Sequence, residues 1–161
     1  MKLPEYVVVI GGSNKVQIVD GILNNRAITV PAFAWFLAQI LKVINVLLTS
    51  KKIDFTRFVG SGGMPSSHSA FIVSLATVVG KIEGIDSTQF GIAIAVSLIV
   101  MYDAAGVRRA AGKQAKVLNK LVHSHNGKLD FDEKLKELLG HSPFEVLMGA
   151  FLGILIGVWL G

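Results

Sequence analysis

Cysteine is absent from this 161-residue chain, so neither disulfides nor thiolate metal sites are available to it. Charged residues make up only 17% of the sequence and aromatic residues 8%, and no segment interleaves basic and aromatic side chains as a nucleic-acid-binding surface does. His123 and His125 have no acidic or cysteine partner nearby, which favours a solvated loop over a metal site. We therefore expect no nucleic-acid partner, no metal and no other cofactor.

Hydrophobic residues, by contrast, make up 52% of the chain, and the mean hydropathy of +0.58 is high for a soluble domain. These values are typical of a small integral membrane protein. The net charge of +5 favours an anionic lipid or a phosphate-bearing substrate as partner. The length suffices for one domain, which we place at residues 27–161, after a tail of uncertain structure at residues 1–26 that makes a poor signal peptide.

Four apolar segments are candidates for membrane-spanning helices, at residues 27–49, 64–80, 89–105 and 146–160. A polar helical insertion is predicted between the third and fourth segments, at about residues 109–140. It comprises one helix over residues 109–122 and a second, charge-rich helix over residues 130–139 that ends at Gly140. The sequence therefore predicts an all-α, polytopic membrane bundle with about four spans.

Lysine and arginine are unevenly distributed around these segments. Eleven of the sixteen lie in the loop after the first segment or in residues 107–142, on one side of the predicted membrane. The positive-inside rule places these loops in the cytoplasm and both termini outside a cell membrane. In the fourth segment, Gly149, Gly153 and Gly157 recur every four residues, which predicts close helix packing without a role in chemistry.

A glycine-rich stretch leads into the second apolar segment, and it reads Gly-Gly-Met-Pro-Ser-Ser-His over residues 62–68. Gly63 permits a close approach of backbone to ligand, Pro65 suits a first helical turn, and Ser66 and Ser67 are favourable N-cap residues. The free N–H groups at a helix start bind anions. We therefore expect Gly63, Ser66 and Ser67 to contact a phosphate beside His68. A capped helix start with an incidental histidine is the alternative.

Several charged residues lie in or just after the apolar segments, where ionised groups are costly unless they have a partner or a function. Lys42 lies inside the first segment, and Asp103, Arg108 and Arg109 come at the end of the third or after it. Arginine is suited to bidentate phosphate binding. The alternatives are that Lys42 extends to the membrane interface and that the arginines only pair with Asp103. Lys51, in the loop after the first segment, is a further candidate for support of the site.

His141 and Glu145 precede the fourth segment and complete a set of side chains that suits phosphate-ester hydrolysis. In such chemistry one histidine attacks phosphorus and becomes transiently phosphorylated, while a carboxylate orients its ring. A second histidine protonates the leaving alkoxide. Cations and backbone N–H groups bind the phosphate oxygens as charge develops, and no metal is required.

Three stretches together resemble the divergent branch of the type-2 phosphatidic-acid phosphatase and vanadium haloperoxidase superfamily. They are Pro-Ser-Ser-His at residues 65–68, Asp-Ala-Ala-Gly-Val-Arg-Arg at residues 103–109 and Gly-His-Ser-Pro-Phe-Glu-Val at residues 140–146. The resemblance extends from about residue 27 onward. It implies that His141 is the nucleophile, Glu145 its orienting group, His68 the general acid, and Arg108 or Arg109 the phosphate-binding arginine.

The chain also departs from the superfamily pattern. Ser67 stands where that pattern has glycine, Glu145 stands for aspartate, and a long insertion separates the arginines from His141. The first superfamily motif, a lysine followed by Arg-Pro, is absent in that form, and Lys42 is its best substitute.

We therefore predict a metal-independent membrane phosphatase that hydrolyses a lipid phosphate or an isoprenoid (di)phosphate. The phosphorylated lipid is the expected partner, and a homo-oligomer is a further expectation. The alternatives are a non-hydrolytic membrane protein that binds or transports an anionic lipid or a small anion, and a catalytically silent relative of the superfamily.

Overall fold

The computed structural model describes residues 14–50, 63–124, 135, 137 and 139–161. These residues are helical or irregular and include no strand, which confirms the predicted all-α class. The helices are α1 (Asn14–Asn24), α2 (Arg26–Ser50), α3 (Ser67–Glu83), α4 (Thr88–Ala105), α5 (Val107–Ser124) and α6 (Pro143–Leu160).

Helices α2, α3, α4 and α6 correspond to the four predicted apolar segments, with two differences at their starts. Helix α3 begins at Ser67 because Ser66 is its N-cap, so Pro65 lies before the helix rather than in its first turn. Helix α6 begins at Pro143 rather than at residue 146, because Ser142 and Glu145 form a capping box.

Three helical stretches within the described residues are long and apolar enough to cross a membrane, namely Arg26–Leu48, Thr88–Val122 and Pro143–Leu160. The second of them comprises both α4 and α5. Helix α3 has 17 residues and packs against α2, α4 and α6, so it is a fourth apolar helix inside the bundle. Large apolar side chains such as Trp35, Ile99 and Trp159 are exposed on the outer faces, as suits contact with lipid.

Helices α3 and α6 run parallel and start at the same end of the bundle. The glycine stripe of α6 allows their backbones to approach closely. A Cβ would overlap α3 at each of three positions: Gly149 against the Ser66 carbonyl, Gly153 against the Ala70 carbonyl, and Gly157 against the Thr77 side chain. The predicted packing role of this stripe is therefore confirmed.

Helix α2 lies against α3 and α6 and runs in the opposite direction. Towards the beginning of α2, Val30 and Ala34 pack with Val78 of α3 and Ile156 of α6 in the buried core. Near the end of α2, the Lys42 side chain reaches the first residue of α3.

Helix α4 is also antiparallel to α3. At one end Phe90 lies against Gly80, where a Cβ would overlap its ring, and in the middle the Ser97 hydroxyl donates to the Ile72 carbonyl at 3.1 Å. One end of the bundle therefore gathers the ends of α2 and α4 together with the starts of α3 and α6.

Helix α5 confirms the first half of the predicted insertion, but the second half is not helical where the structure describes it. Leu135, Glu137 and Leu139 lie outside any helix. The Asn119 side chain makes two hydrogen bonds to the Leu135 backbone. It donates to the carbonyl at 2.9 Å and accepts from the N–H at 3.1 Å. At Gly112 a Cβ would overlap the Glu137 carbonyl. The predicted helix at residues 130–139 is therefore wrong at these positions, because their backbone packs against α5 instead of forming helical hydrogen bonds.

Some predicted features lie outside the described residues. These are the support residue Lys51, the loop that contains it, His125 and the side chain of His123. Residues 1–13 lie outside them as well, whereas the rest of the predicted tail forms α1.

Candidate functional site

Ser66 caps α3 at the end of the bundle where the helix starts meet. Its side-chain oxygen accepts from the Ser69 N–H at 3.4 Å and from the Ser69 hydroxyl at 2.9 Å. Its own N–H donates to the Glu145 carbonyl at 3.0 Å. Ser66 is a predicted phosphate-binding residue, but its hydroxyl oxygen caps α3 and its N–H joins the start of α3 to α6.

The start of α6 is closed by a reciprocal cap. Ser142 accepts from the Glu145 N–H at 3.3 Å, and the Glu145 carboxylate accepts from the Ser142 N–H at 2.7 Å. This cap holds the carboxylate at the helix start, beside the beginning of α3. The positive ends of two helix dipoles therefore converge on one small volume, which favours an anion there.

His141 is held between α4 and α6. Its backbone N–H donates to the Ala104 carbonyl at 2.9 Å, and its side chain is buried, with 2% of the residue exposed. Ring atom Nδ1 lies 3.5 Å from the Glu145 carboxylate oxygen Oε2. Neither ring nitrogen has a hydrogen-bond partner within the part of the chain that the structure describes. Burying an imidazole whose ring nitrogens have no partner costs free energy, so the arrangement suits a ring that contacts a ligand atom.

His68 lies on the other side of the same volume, in the first turn of α3. Its ring centroid is 6.4 Å from that of His141, with the two ring planes inclined at 60°. His68 is exposed, whereas His141 is buried. One ring is thus open to solvent while the other is screened from it.

Lys42 lies inside the bundle and does not extend to the membrane interface. It is 2% exposed, and its ammonium donates to the Ser67 hydroxyl at 3.2 Å. Gly63 has φ of +99°, a conformation that favours glycine, and a Cβ there would lie 3.9 Å from Lys42 Cγ. The candidate phosphate-binding residues Lys42, Ser67 and Gly63 therefore lie together, and the interface alternative for Lys42 is wrong.

The two arginines occupy different environments. Arg108 Nε lies 2.6 Å from Asp103 Oδ2, and both side chains are partly exposed. The charges of Arg108, Lys42 and Asp103 all act on His68. Arg109 instead packs its backbone against Gly140, where a Cβ would overlap it. Of the two arginines, Arg108 is the one whose charge acts on His68.

Burial lowers the pKa of His141, and the positive charges of Lys42 and His68 lower it further. Glu145 acts in the opposite direction, because a carboxylate stabilises the protonated ring. The net effect is a pKa below the ordinary value. His141 is therefore neutral, and its ring nitrogen available to attack, at a lower pH than an exposed histidine.

No group of three His, Cys, Asp or Glu side chains among the described residues is arranged to hold a metal ion. The donors that do converge are cations, hydroxyls and helix starts, and these bind anions.

Two contributions to the site were not predicted. The Ala104 carbonyl, which holds the His141 backbone, is a main-chain group with no sequence signal. Asn119, which fixes the backbone leading back to His141, carries a weak signal, since asparagine is a poor residue for a helix interior.

Comparisons with known proteins show which family the sequence resembles. Residues 23–156 match the divergent PAP2 family, a range that includes every candidate site residue. The uncharacterized membrane protein YuiD of Bacillus subtilis (strain 168) is 40% identical over 147 residues, covering 84% of this chain and 93% of the relative. No solved structure matches the chain.

Proposed function

The chain belongs to the divergent PAP2 family, and on this premise we propose that it is a membrane phosphatase that acts on a phosphorylated lipid through a phosphohistidine. The observation that carries this proposal is the environment of His141. Its ring is buried, with Nδ1 towards Glu145, Nε2 without a partner among the described residues, and a second histidine 6.4 Å away between centroids. A structural histidine would have its ring nitrogens satisfied.

In the first step the lone pair of His141 Nε2 attacks phosphorus, and the bond between phosphorus and the lipid oxygen breaks. Glu145 accepts a hydrogen bond from Nδ1–H and stabilises the positive charge that develops on the ring. His68 gives its proton to the leaving lipid alkoxide. In the second step His68 removes a proton from water, the water oxygen attacks phosphorus, and phosphate leaves His141.

The phosphate oxygens would bind to Lys42, Arg108 and the N–H groups at the start of α3. Lys42 and Arg108 carry full positive charges, which oppose the charge that builds up on the equatorial oxygens. The Ser67 hydroxyl accepts a hydrogen bond from Lys42 and so connects this lysine to the start of α3. Arg108 would exchange Asp103 for phosphate, which costs less at a partly exposed ion pair than at a buried one.

A lipid is the substrate class that best suits the position of the site. The site lies at one end of a bundle whose outer faces are apolar. Isoprenoid (di)phosphates and phosphatidate-like lipids both present a phosphate at the membrane surface. We infer further that this end faces the cytoplasm, since eleven of the sixteen basic residues lie in the connections at that end.

Phosphate release tests the proposal directly. The purified protein in detergent is given a panel of lipid phosphates and diphosphates, with and without vanadate, beside His141→Ala. We expect vanadate-sensitive release that falls at least about a thousandfold in the variant, as loss of a nucleophile does. Equal release from both folded proteins would contradict the mechanism. No release, with retained phosphate-lipid binding that Arg108→Ala abolishes, would favour the non-hydrolytic anion binder.

A further inference from the structure

An apolar groove with a volume of about 490 Å³ lies between α3, α4 and α6. Its volume falls within the range typical of small-molecule sites. The walls are small and aliphatic side chains from all three helices: Val73, Ala76, Ile94, Leu98, Ala150 and Ile154.

The few polar side chains that line the groove are already satisfied by the protein. The Thr77 hydroxyl donates to the Val73 carbonyl at 2.8 Å, and the Ser97 hydroxyl hydrogen is shared between the Ala93 carbonyl at 2.7 Å and the Ile72 carbonyl at 3.1 Å. The Lys81 ammonium donates to the Val158 carbonyl of α6 at 2.8 Å and to the carbonyl of its C-cap Gly161 at 2.7 Å. These hydrogen bonds satisfy both hydroxyl hydrogens and two of the three ammonium hydrogens, so the groove favours hydrocarbon over water.

The groove extends along α4 from near the end of the bundle where His141 lies towards the opposite end. Met101, at one end, lies one helical turn from Ala104, whose carbonyl holds His141. Ala150 adjoins Gly149, which contacts Ser66. At the other end the Phe90 ring lies against Gly80. From Phe90 to Met101 the groove runs for about 16 Å along α4.

We propose that this groove binds the hydrocarbon tail of the phosphorylated lipid whose phosphate occupies the site, an inference that rests on the proposed function. Three observations select this occupant. The groove is apolar, it lies among the apolar helices α3, α4 and α6, and at one end Met101 lies one helical turn from Ala104, whose carbonyl holds His141. Because the groove extends for about 16 Å along α4, we expect the length of the hydrocarbon tail to be a determinant of specificity.

Photolabelling tests the inference without requiring turnover. The probe is a long-chain alkyl phosphate with a diazirine at the end of its tail, added to the full chain in detergent. We expect adducts on groove residues at the end far from His141, such as Ile85, Phe90 and Ile94. These adducts should disappear when unlabelled alkyl phosphate is present in excess. Ala150→Phe, which fills the groove, should lower labelling about tenfold, because each excluded methylene weakens binding roughly fourfold.

Ala95→Phe is the matched control, since Ala95 is an exposed alanine on α4 outside the groove and should label like the parent. Leu98→Phe fills the groove from α4 and replaces Ala150→Phe if that variant does not fold. Adducts spread over outer residues such as Leu147 and Trp159, or labelling unchanged in both filling variants, would overturn the inference. Specific groove labelling without phosphate release would support the tail site and contradict the phosphatase. Phosphate release without specific groove labelling would support the phosphatase and contradict the tail site.

Discussion

At the scale of single residues, the site depends on how differently its two histidines are placed. His68 is open to solvent in the first turn of α3, whereas His141 is buried and fixed through its backbone to Ala104. A nucleophile gains from burial, because desolvation keeps its ring neutral, and a proton donor gains from access to water. The proposed mechanism therefore assigns the two roles to histidines that differ in exposure.

The protonation of His141 provides a direct prediction. Its pKa lies below the ordinary value of about 6.5, because burial and Lys42 disfavour the charged ring. A lowered pKa means that the ring loses its proton at a lower pH, so we expect it to be mostly neutral at pH 6.5. Removing the charge with Lys42→Met should raise this pKa, and removing the carboxylate charge with Glu145→Gln should lower it further. Nitrogen-15 NMR of histidine-labelled protein measures both.

The chain has four histidines, so the His141 signal is assigned by its disappearance in His141→Ala. Lys42→Arg, which keeps the charge, is the control for Lys42→Met. If His141 titrated above pH 6.5, or if Lys42→Met left its pKa unchanged, burial and the charge of Lys42 would not determine that pKa.

At the scale of helices, the candidate anion site depends on α3 and α6 starting at the same end of the bundle. Parallel neighbours place two helix N-termini at one end, which antiparallel neighbours do not. The closest approach is at Gly149, where the α6 backbone meets the Ser66 carbonyl. The glycine stripe therefore contributes to function through packing, by holding the two helix starts together.

Substitution at Gly149 should destabilise the bundle. In Gly149→Ala the new methyl group overlaps backbone that cannot move independently, so we expect a loss of about 1–3 kcal/mol in unfolding free energy. Gly91→Ala is the matched control, because a Cβ at Gly91 meets nothing within 4 Å and the helix gains propensity. Denaturation in detergent micelles compares the two variants, and equal stability would show that α3 and α6 separate without cost.

The contact between Asn119 and Leu135 predicts a second effect at this scale. In Asn119→Ala the Leu135 backbone loses both hydrogen bonds to α5, worth about 1 kcal/mol each. We expect faster proteolysis within residues 125–140 and a turnover number about tenfold lower, since that segment leads to His141. Gln114→Ala, an exposed change on the same helix, should alter neither. Unchanged cleavage in Asn119→Ala would mean that other contacts hold the segment.

At the scale of the whole molecule, the sequence was most informative where the signal is local. Long apolar runs predicted α2, α4 and α6 closely, and the motifs predicted His68, Glu145 and His141, which the structure brings together. The parallel arrangement of α3 and α6 depends on contacts between distant segments, which periodicity does not encode. The predicted helix at residues 130–139 was wrong at its described positions for the same reason, because Asn119 and Gly112 bind that backbone from another helix.

The orientation of the bundle is the remaining prediction, and the absence of cysteine makes it simple to test. Single cysteines are introduced at Gln114, in α5, which follows the end of α4, and at Asp86, in the connection between α3 and α4 at the opposite end. Both positions are exposed. Because basic residues are retained on the cytoplasmic side, an impermeant maleimide added to intact cells should label Asp86→Cys and spare Gln114→Cys until the cells are opened. The reverse pattern would place the candidate site outside. It would then follow that the basic residues at that end are retained for phosphate binding rather than for orientation, and that the proposed lipid substrate is bound from the outer leaflet.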